Sequence, residues 1–354
     1  MGQKLNMKVN RLPVRTWNWL RMNESSLDQI EITDSCAVFT EGAAESAAAG
    51  KFDFSTIAAG MGKDLDRLAE RGKNPPIRLC STAGGKDAVK LHFVYESEQN
   101  SFQEVQVLAE EGSVLTVIMD YTSGKADQGL AAVRTRLRLE KDAKVRLIQI
   151  QLLGTGYAML NDVGISCAEG ASAEVVQLFL GSEKTYSGCQ ADLAGRGSGL
   201  TADIGYLGRN EQKYDMNYTA VHKGVQSMSS IRAIGALQDR SFKLFRGTID
   251  FQTGSSESMG EEKEDVLLLS DGAVNQTIPL ILCGEENVQG NHGATIGRLD
   301  EELLFYLCSR GMDRESACSM IVRARIEAVC QKIGDEEAQR QVQNYLEEAA
   351  GSGE

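Results

Sequence analysis

Between Ile77 and Ile278 apolar and polar residues alternate in short runs. In KYDMNYT, Lys213 to Thr219, the residues Tyr214, Met216 and Tyr218 fall on one side of an extended strand. In VRLIQIQLL, Ile148, Ile150 and Leu152 do the same. HFVYE, FQEVQVL, VLTVIMDY, VRTRLRLE, AEVVQLFL, LTADIGYL, SSIRAIGAL and SFKLFRGTIDF are further strand-like runs. Between them lie EEGS, AEGAS, GRGSG and GRNEQ, whose Gly, Asn and Ser mark turns. Many short strands fit either a sandwich or barrel, or a parallel β-helix. The whole stretch lacks proline, which favours the β-helix, because nearly every strand there pairs on both sides and cannot spare an N–H. No crisp repeat period is visible, so periodicity by itself leaves both architectures open.

After Gly297 the period changes from two to that of a helix. Asp300 opens DEELLFYLCSR as its cap, and Gly311 ends it; Asp313 precedes RESACSMIVRARIEAVCQKI, which Gly334 ends; and Asp335 opens a third helix. The expected apolar stripes are Ala317, Met320, Ile321, Ala324, Ala328 and Val329 on the second helix, and Ala338, Val342, Tyr345, Leu346 and Ala349 on the third. So small a helical unit should dock on the β body, on a partner, or on both. The division expected is a helical or irregular segment over 1–76, a β core over 77–297 and a helical domain over 298–354. In the first segment Trp17 and Trp19 should clamp an arm against this chain or a partner, and Ala43 to Gly50 reads as a flexible surface stretch. Asp64 to Arg71 reads as a short helix, with Asp64 and Asp66 at its solvated N-terminus.

Composition narrows the function. A net charge of −13 on 354 residues argues against nucleic acid and anionic membranes as partners and suits a soluble cytoplasmic protein. No apolar run is long enough to span a membrane, and the opening MGQKLNMKVNRLP has no signal-peptide core. The eight cysteines form no C-x-x-C pair, so they read as reduced and mostly buried. There is no phosphate-binding G-x-x-x-x-G-K-[ST] loop, no G-x-S-x-G and no H-E-x-x-H. Gly195, Gly197 and Gly199 read as a turn, since no strand-to-helix setting surrounds them.

Of the three histidines, His92 and His222 sit in strand-like surroundings and read as packed or hydrogen-bonded residues. His292 differs, because Gly290 and Gly293 strip side-chain bulk from around it and leave the imidazole open to a metal or a facing chain. Glu285 and Glu286 lie a few residues upstream as candidate carboxylate ligands, with Cys283 just before them. Imidazole, carboxylate and thiolate together suit iron.

The run NHGATIGRLDEELLFYLCSRGM into ESACSMIVRARIEAV resembles the SufB/SufD family of iron–sulfur cluster assembly scaffolds, on its SufD side. The stretches LLLSDGAVNQTIPLILCGEENVQGNHG, SFKLFRGTIDF, LPVRTWNWL and FDFSTIAAGMGKDLDRL support it, so the resemblance covers nearly the whole chain. It implies a right-handed parallel β-helix between helical ends, and a scaffold rather than an enzyme. It further implies pairing with a SufB-like subunit through the β-helix, and docking of a SufC-like ATPase on the C-terminal helices. Sulfur would arrive indirectly from a desulfurase and its carrier, and no nucleotide would bind this chain. A transient cluster or iron would form at the subunit interface with His292 contributing. Many relatives carry cysteine two residues before that histidine; here the residue is Gly290, which leaves the thiolate to the partner or to Cys283. Self-pairing of this chain also stays open. Deleting the chain from Asp313 onward is expected to abolish ATPase binding without unfolding the β core. The competing readings are a β-helix carbohydrate-active enzyme and a purely structural SufB partner. Low aromatic content, 6%, counts against the first, because few sugar-stacking platforms are available.

Overall fold

The computed structural model describes residues 4–16, 18–42 and 52–351. Strands β1 (Leu5–Val9) and β2 (Ser25–Ile30) pair antiparallel, β3 (Ala37–Gly42) follows, and α1 spans Asp64–Ala69. The first segment therefore holds the expected short helix and, in addition, strands that its patterning did not mark. Beyond it the chain winds as a β-solenoid of about eight turns, each turn giving one strand to each of two parallel sheets. One sheet holds β4 (Ile77–Ser81), β6 (Gln99–Ala109), β8 (Gln128–Leu139), β10 (Gly156–Cys167), β12 (Lys184–Leu193), β14 (Lys213–His222), β16 (Phe242–Phe251) and β18 (Val274–Cys283). The other holds β5 (Lys86–Val94), β7 (Val114–Thr122), β9 (Lys144–Leu152), β11 (Ser172–Phe179), β13 (Gly199–Gly208), β15 (Met228–Leu237), β17 (Ser258–Leu268) and β19 (Val288–Arg298).

The missing repeat has a structural cause. Ala158 pairs with Lys184, Lys184 with Lys213, Lys213 with Phe242 and Phe242 with Val274. A turn thus takes anything from 26 to 32 residues along this sheet, and no fixed period survives in the sequence. The corners stack tightly enough to demand glycine. A Cβ on Gly195 would lie 2.1 Å from the Glu169 backbone nitrogen, and one on Gly224 would lie 2.1 Å from the Gly195 carbonyl oxygen. The Gly195–Gly199 string is therefore a solenoid corner, as expected.

Three apolar layers hold the molecule together. The lumen packs Val145, Leu147, Tyr214, Met216 and Tyr218 with their stacked neighbours. It also holds a hydrogen-bonded ladder, in which Gln149 donates to Tyr121 Oη at 2.9 Å and Gln177 donates to Gln149 Oε1 at 2.6 Å. Outside the β9 sheet, Ile148, Ile150, Leu152, Val176 and Leu178 pack beneath the C-terminal helices. These are α2 (Glu301–Ser309), α3 (Arg314–Cys330) and α4 (Glu336–Gly351). Outside the other sheet, Leu5, Met7, Val9 and Leu27 of the N-terminal arm cover Phe102, Leu130 and Leu160.

The helix caps are where the sequence placed them. Asp300 accepts from Glu302 N at 2.9 Å, Asp313 from Ser316 N at 2.8 Å and Asp335 from Ala338 N at 3.0 Å. The stripe on α3 is shifted from the expected one. Val322, Ile326, Val329 and Cys330 are buried beside Ala317, whereas Met320, Ala324 and Ala328 are exposed. On α4 the buried residues are Ala338, Val342 and Leu346, with Tyr345 partly buried; the side chain of Ala349 lies outside the described residues.

The arm adds contacts the sequence did not mark. Asp64 and Asp66 stand in the first turn of α1 as expected, Asp66 half-exposed, but Asp64 Oδ2 also accepts from Lys8 N at 2.8 Å, and Asp66 pairs with Arg134 at 2.7 Å and Arg136 at 3.2 Å. Trp19 is 98% exposed and so clamps nothing in this chain. Trp17 and Ala43 to Gly50 lie outside the described residues. The arm is instead locked by Arg246, whose fully buried guanidinium pairs with Asp215 at 2.7 Å and donates to Met22 O at 2.7 Å. Asn10 Nδ2 donates to the same Asp215 carboxylate at 2.6 Å.

Candidate metal site at the open end of the solenoid

The two ends of the solenoid differ. At the first turn β3 runs antiparallel to β5, from Ala37 opposite Val94 to Gly42 opposite Val89, and becomes the outer strand of that sheet, as β4 is of the other. At the last turn β18 and β19 are the outermost strands of their sheets, hydrogen-bonded on one side only. Pro279 sits inside β18, where a missing N–H is tolerated because there is no second neighbour. Most of β19 is exposed, including Asn291, His292 and Gly293. An uncovered pair of edge strands is a ready template for another chain.

His292 lies on this last turn. It is in register with Glu262 of β17, and Gly290 is in register with Gly260. A Cβ on Gly290 would lie 2.9 Å from Ile281 Cγ2 and 3.1 Å from Phe251 Cε2, so this parity of β19, which His292 shares, faces the lumen. Ile281 fills the space that a longer side chain at position 290 would need.

The other sequence candidates fall elsewhere. Glu285 accepts from Gly254 N at 3.0 Å and Glu286 N at 3.1 Å, and those backbone bonds, Gly254 first, lower its pKa. Its carboxylate is thus engaged in the turn. Glu286 is exposed on the same turn. Cys283 is exposed at the end of β18. With Gly290 facing Ile281, His292 faces Pro279, and Cys283 is four residues further along, about 13 Å away at strand rise. Among the described residues no three His, Cys, Asp or Glu side chains converge as a metal-binding group.

What does lie beneath His292 was not singled out from the sequence. Lys243, fully buried, is ion-paired with Glu264, and its Nζ donates to Thr277 Oγ1 at 3.3 Å. Thr277 Oγ1 in turn donates to Glu264 Oε2. Glu262 is 2% exposed. Burial pushes its carboxyl up to about 7, with the Lys243 charge opposing, and burial likewise drives Lys243 well below its usual range. One signal in the sequence could have found them. In SMGEEKEDV the alternation puts Gly260, Glu262, Glu264 and Val266 on one side, so two carboxylates share a face with a glycine and a valine.

The other two histidines are structural. His222 Nδ1 lies 2.8 Å from Ser227 Oγ and Nε2 lies 2.8 Å from Ser229 Oγ, with the ring against Phe251. Burial lowers its pKa to about 4, so it is neutral at physiological pH. His92 Nδ1 lies 2.5 Å from Asp120 Oδ2, beside the Lys90 contacts to Asp335 and Glu337 at the foot of α4.

On the helical side, α2 leaves apolar surface open: Leu303 is 42%, Phe305 76% and Tyr306 52% exposed, while Leu304 is buried. No helix among the described residues is long and apolar enough to cross a membrane.

A two-sheet parallel β-helix, covered by an N-terminal arm and C-terminal helices and open at its last turn, defines the class. The family model for the SUF system FeS cluster assembly SufBD core domain matches residues 92–325, about two thirds of the chain. The chain belongs to this SufB/SufD family. Among its relatives is the iron–sulfur cluster assembly protein SufD of Bacillus subtilis, 25% identical over 262 residues, which cover 73% of this chain and 60% of the relative. Iron–sulfur cluster assembly SufBD family proteins of Staphylococcus saprophyticus and Staphylococcus epidermidis are 27% and 26% identical over 248 residues, covering 69% of this chain and 53% of each relative. The chain therefore spans a little over half the length of these relatives.

Proposed function

We propose that this chain is a scaffold subunit for iron–sulfur cluster assembly, with iron or a nascent cluster as cargo. It pairs with a SufB-like subunit through the β18–β19 end and holds a SufC-like ATPase on its C-terminal helices. The carrying observation is the open last turn, with His292 exposed on an edge strand and facing the lumen. Edge strands bring a second chain within hydrogen-bonding reach of β19, so its ligands could share an ion with His292. Gly290 supplies no thiolate, and Cys283 is too far along β18 to share an ion with His292, so the thiolates come from the partner. The exposed Phe305 and Tyr306 suit a docking face for the ATPase. ATP hydrolysis then belongs to that subunit, consistent with the missing phosphate-binding loop.

The test is the three-subunit complex carrying His292→Ala. The side chain is exposed, so folding and subunit composition should persist while iron and acid-labile sulfide per complex fall severalfold. Unchanged iron and sulfide content would refute the role of His292.

A further inference from the structure

Glu262 is a buried carboxylate with no protein partner for one of its oxygens. It is 2% exposed, and its Oε1 has no hydrogen-bond partner. Leaving such an atom unmatched in the interior is costly, because it gives up water without gaining a partner. The nearest cation, Lys243, is ion-paired with Glu264. The space around Glu262 is made for it: Gly247 lies across the lumen, where a Cβ would come within 2.7 Å of Glu262 Cγ. Directly above, on the next strand, stands His292.

We infer that Glu262 and His292 form a two-ligand site for a divalent transition-metal ion, ferrous iron by its chemistry, at the mouth of the solenoid. Register partners on adjacent parallel strands stand about 4.8 Å apart and project to the same side. That spacing lets an imidazole nitrogen and a carboxylate oxygen meet one ion at about 2.0–2.2 Å each. Glu264 and Lys243 lie beside Glu262 on the same turn, and Thr277 of β18 bonds both. Two ligands from one chain agree with the lack of any three-ligand group among the described residues. The remaining positions fall to water in the isolated chain and to the partner's side chains in the pair. This inference rests on the reading of His292 given above and adds the ligand that this chain holds ready below it.

The experiment uses the full chain alone, without oxygen, titrated with Fe2+ by equilibrium dialysis and with Co2+ followed by its visible absorption. Wild type, His292→Ala, Glu262→Gln and Glu262→Asp are compared, with circular dichroism recorded for each. The expected result is one Fe2+ bound by wild type, weakened at least about tenfold in His292→Ala and Glu262→Gln. The Co2+ bands should shift in Glu262→Asp, which keeps the charge and retracts the oxygens. Loss of binding in His292→Ala with full binding in both Glu262 variants overturns the inference and leaves the His292 role standing. Full binding in His292→Ala overturns both. A wild-type chain that binds no Fe2+ alone overturns the two-ligand site, while the complex can still test His292. If Glu262→Gln does not fold, Glu262→Asp decides, and unaltered Co2+ bands in it overturn the inference.

Discussion

His222 should stay neutral through the acid range in which an ordinary histidine titrates, and that reluctance sets a pH limit on the solenoid. Its ring has no exposed surface and sits between Ser227, Ser229 and Phe251. Burial takes its pKa from 6.5 down to about 4. At 1.36 kcal/mol per unit that difference amounts to about 3 kcal/mol of preference for the neutral form. The sign follows from proton uptake. Below about pH 6.5 the unfolded chain binds this proton and the folded chain does not, so acid favours unfolding. The contribution is complete above about pH 6.5 and is lost as pH falls towards 4, with about 2.5 kcal/mol gone by pH 4.5. Proton NMR of the three imidazoles, assigned with single His→Gln variants, should show the His222 C2–H signal flat from pH 8 to about 5.5. Urea unfolding at pH 7.5 and 4.5 should show wild type losing about 2.5 kcal/mol more than His222→Gln over that interval. A native-state midpoint near 6.5, or the same pH dependence in variant and wild type, would refute the reasoning.

Two further outcomes follow from the packing. Asp215→Ala strands the buried Arg246 guanidinium and should destabilise the arm's seat by about 3–5 kcal/mol; limited proteolysis should then cut within residues 4–30 before the solenoid, and equal cutting of wild type would count against the arm lock. Phe305→Ser with Tyr306→Ser should abolish co-purification with the ATPase subunit and leave circular dichroism unchanged, because both side chains are exposed; normal co-purification would place the docking face elsewhere. Point substitutions are needed because the truncation suggested by the sequence is not clean. Removing everything from Asp313 would bare Ile148, Ile150, Val176 and Leu178, which α3 and α4 cover, so the β core would not be left as it is.

The strands that were legible are those carrying branched and aromatic residues, such as β7, β9 and β16. Among those missed, β10, β12 and β17 read GYAMLNDVGISC, KTYSGCQADL and SMGEEKEDVLL, rich in small or charged residues. They become strands because their neighbours in the solenoid pair with them on both sides, and that stabilisation is invisible in a single run. The α3 stripe was misplaced for a related reason. In RESACSMIVRARIEAVC apolar residues ring the helix, and only the outer face of β11, β13 and β15 selects which of them are buried.

Residue order alone sets the building material: alternation without proline across the β core until β18, turn residues at the corners, three capped helices, and a histidine between glycines. Those are local properties, set by backbone sterics and by the hydrogen bonds of neighbouring residues. Only folding decided which residue stands in register with the histidine. Glu262 lies thirty positions earlier, and the solenoid's turn length brings it under His292. Because that length varies from turn to turn, the juxtaposition could not be counted out along the chain. At the open end this changes the candidate set from Cys283, Glu285 and Glu286, near in sequence, to Glu262, near in space.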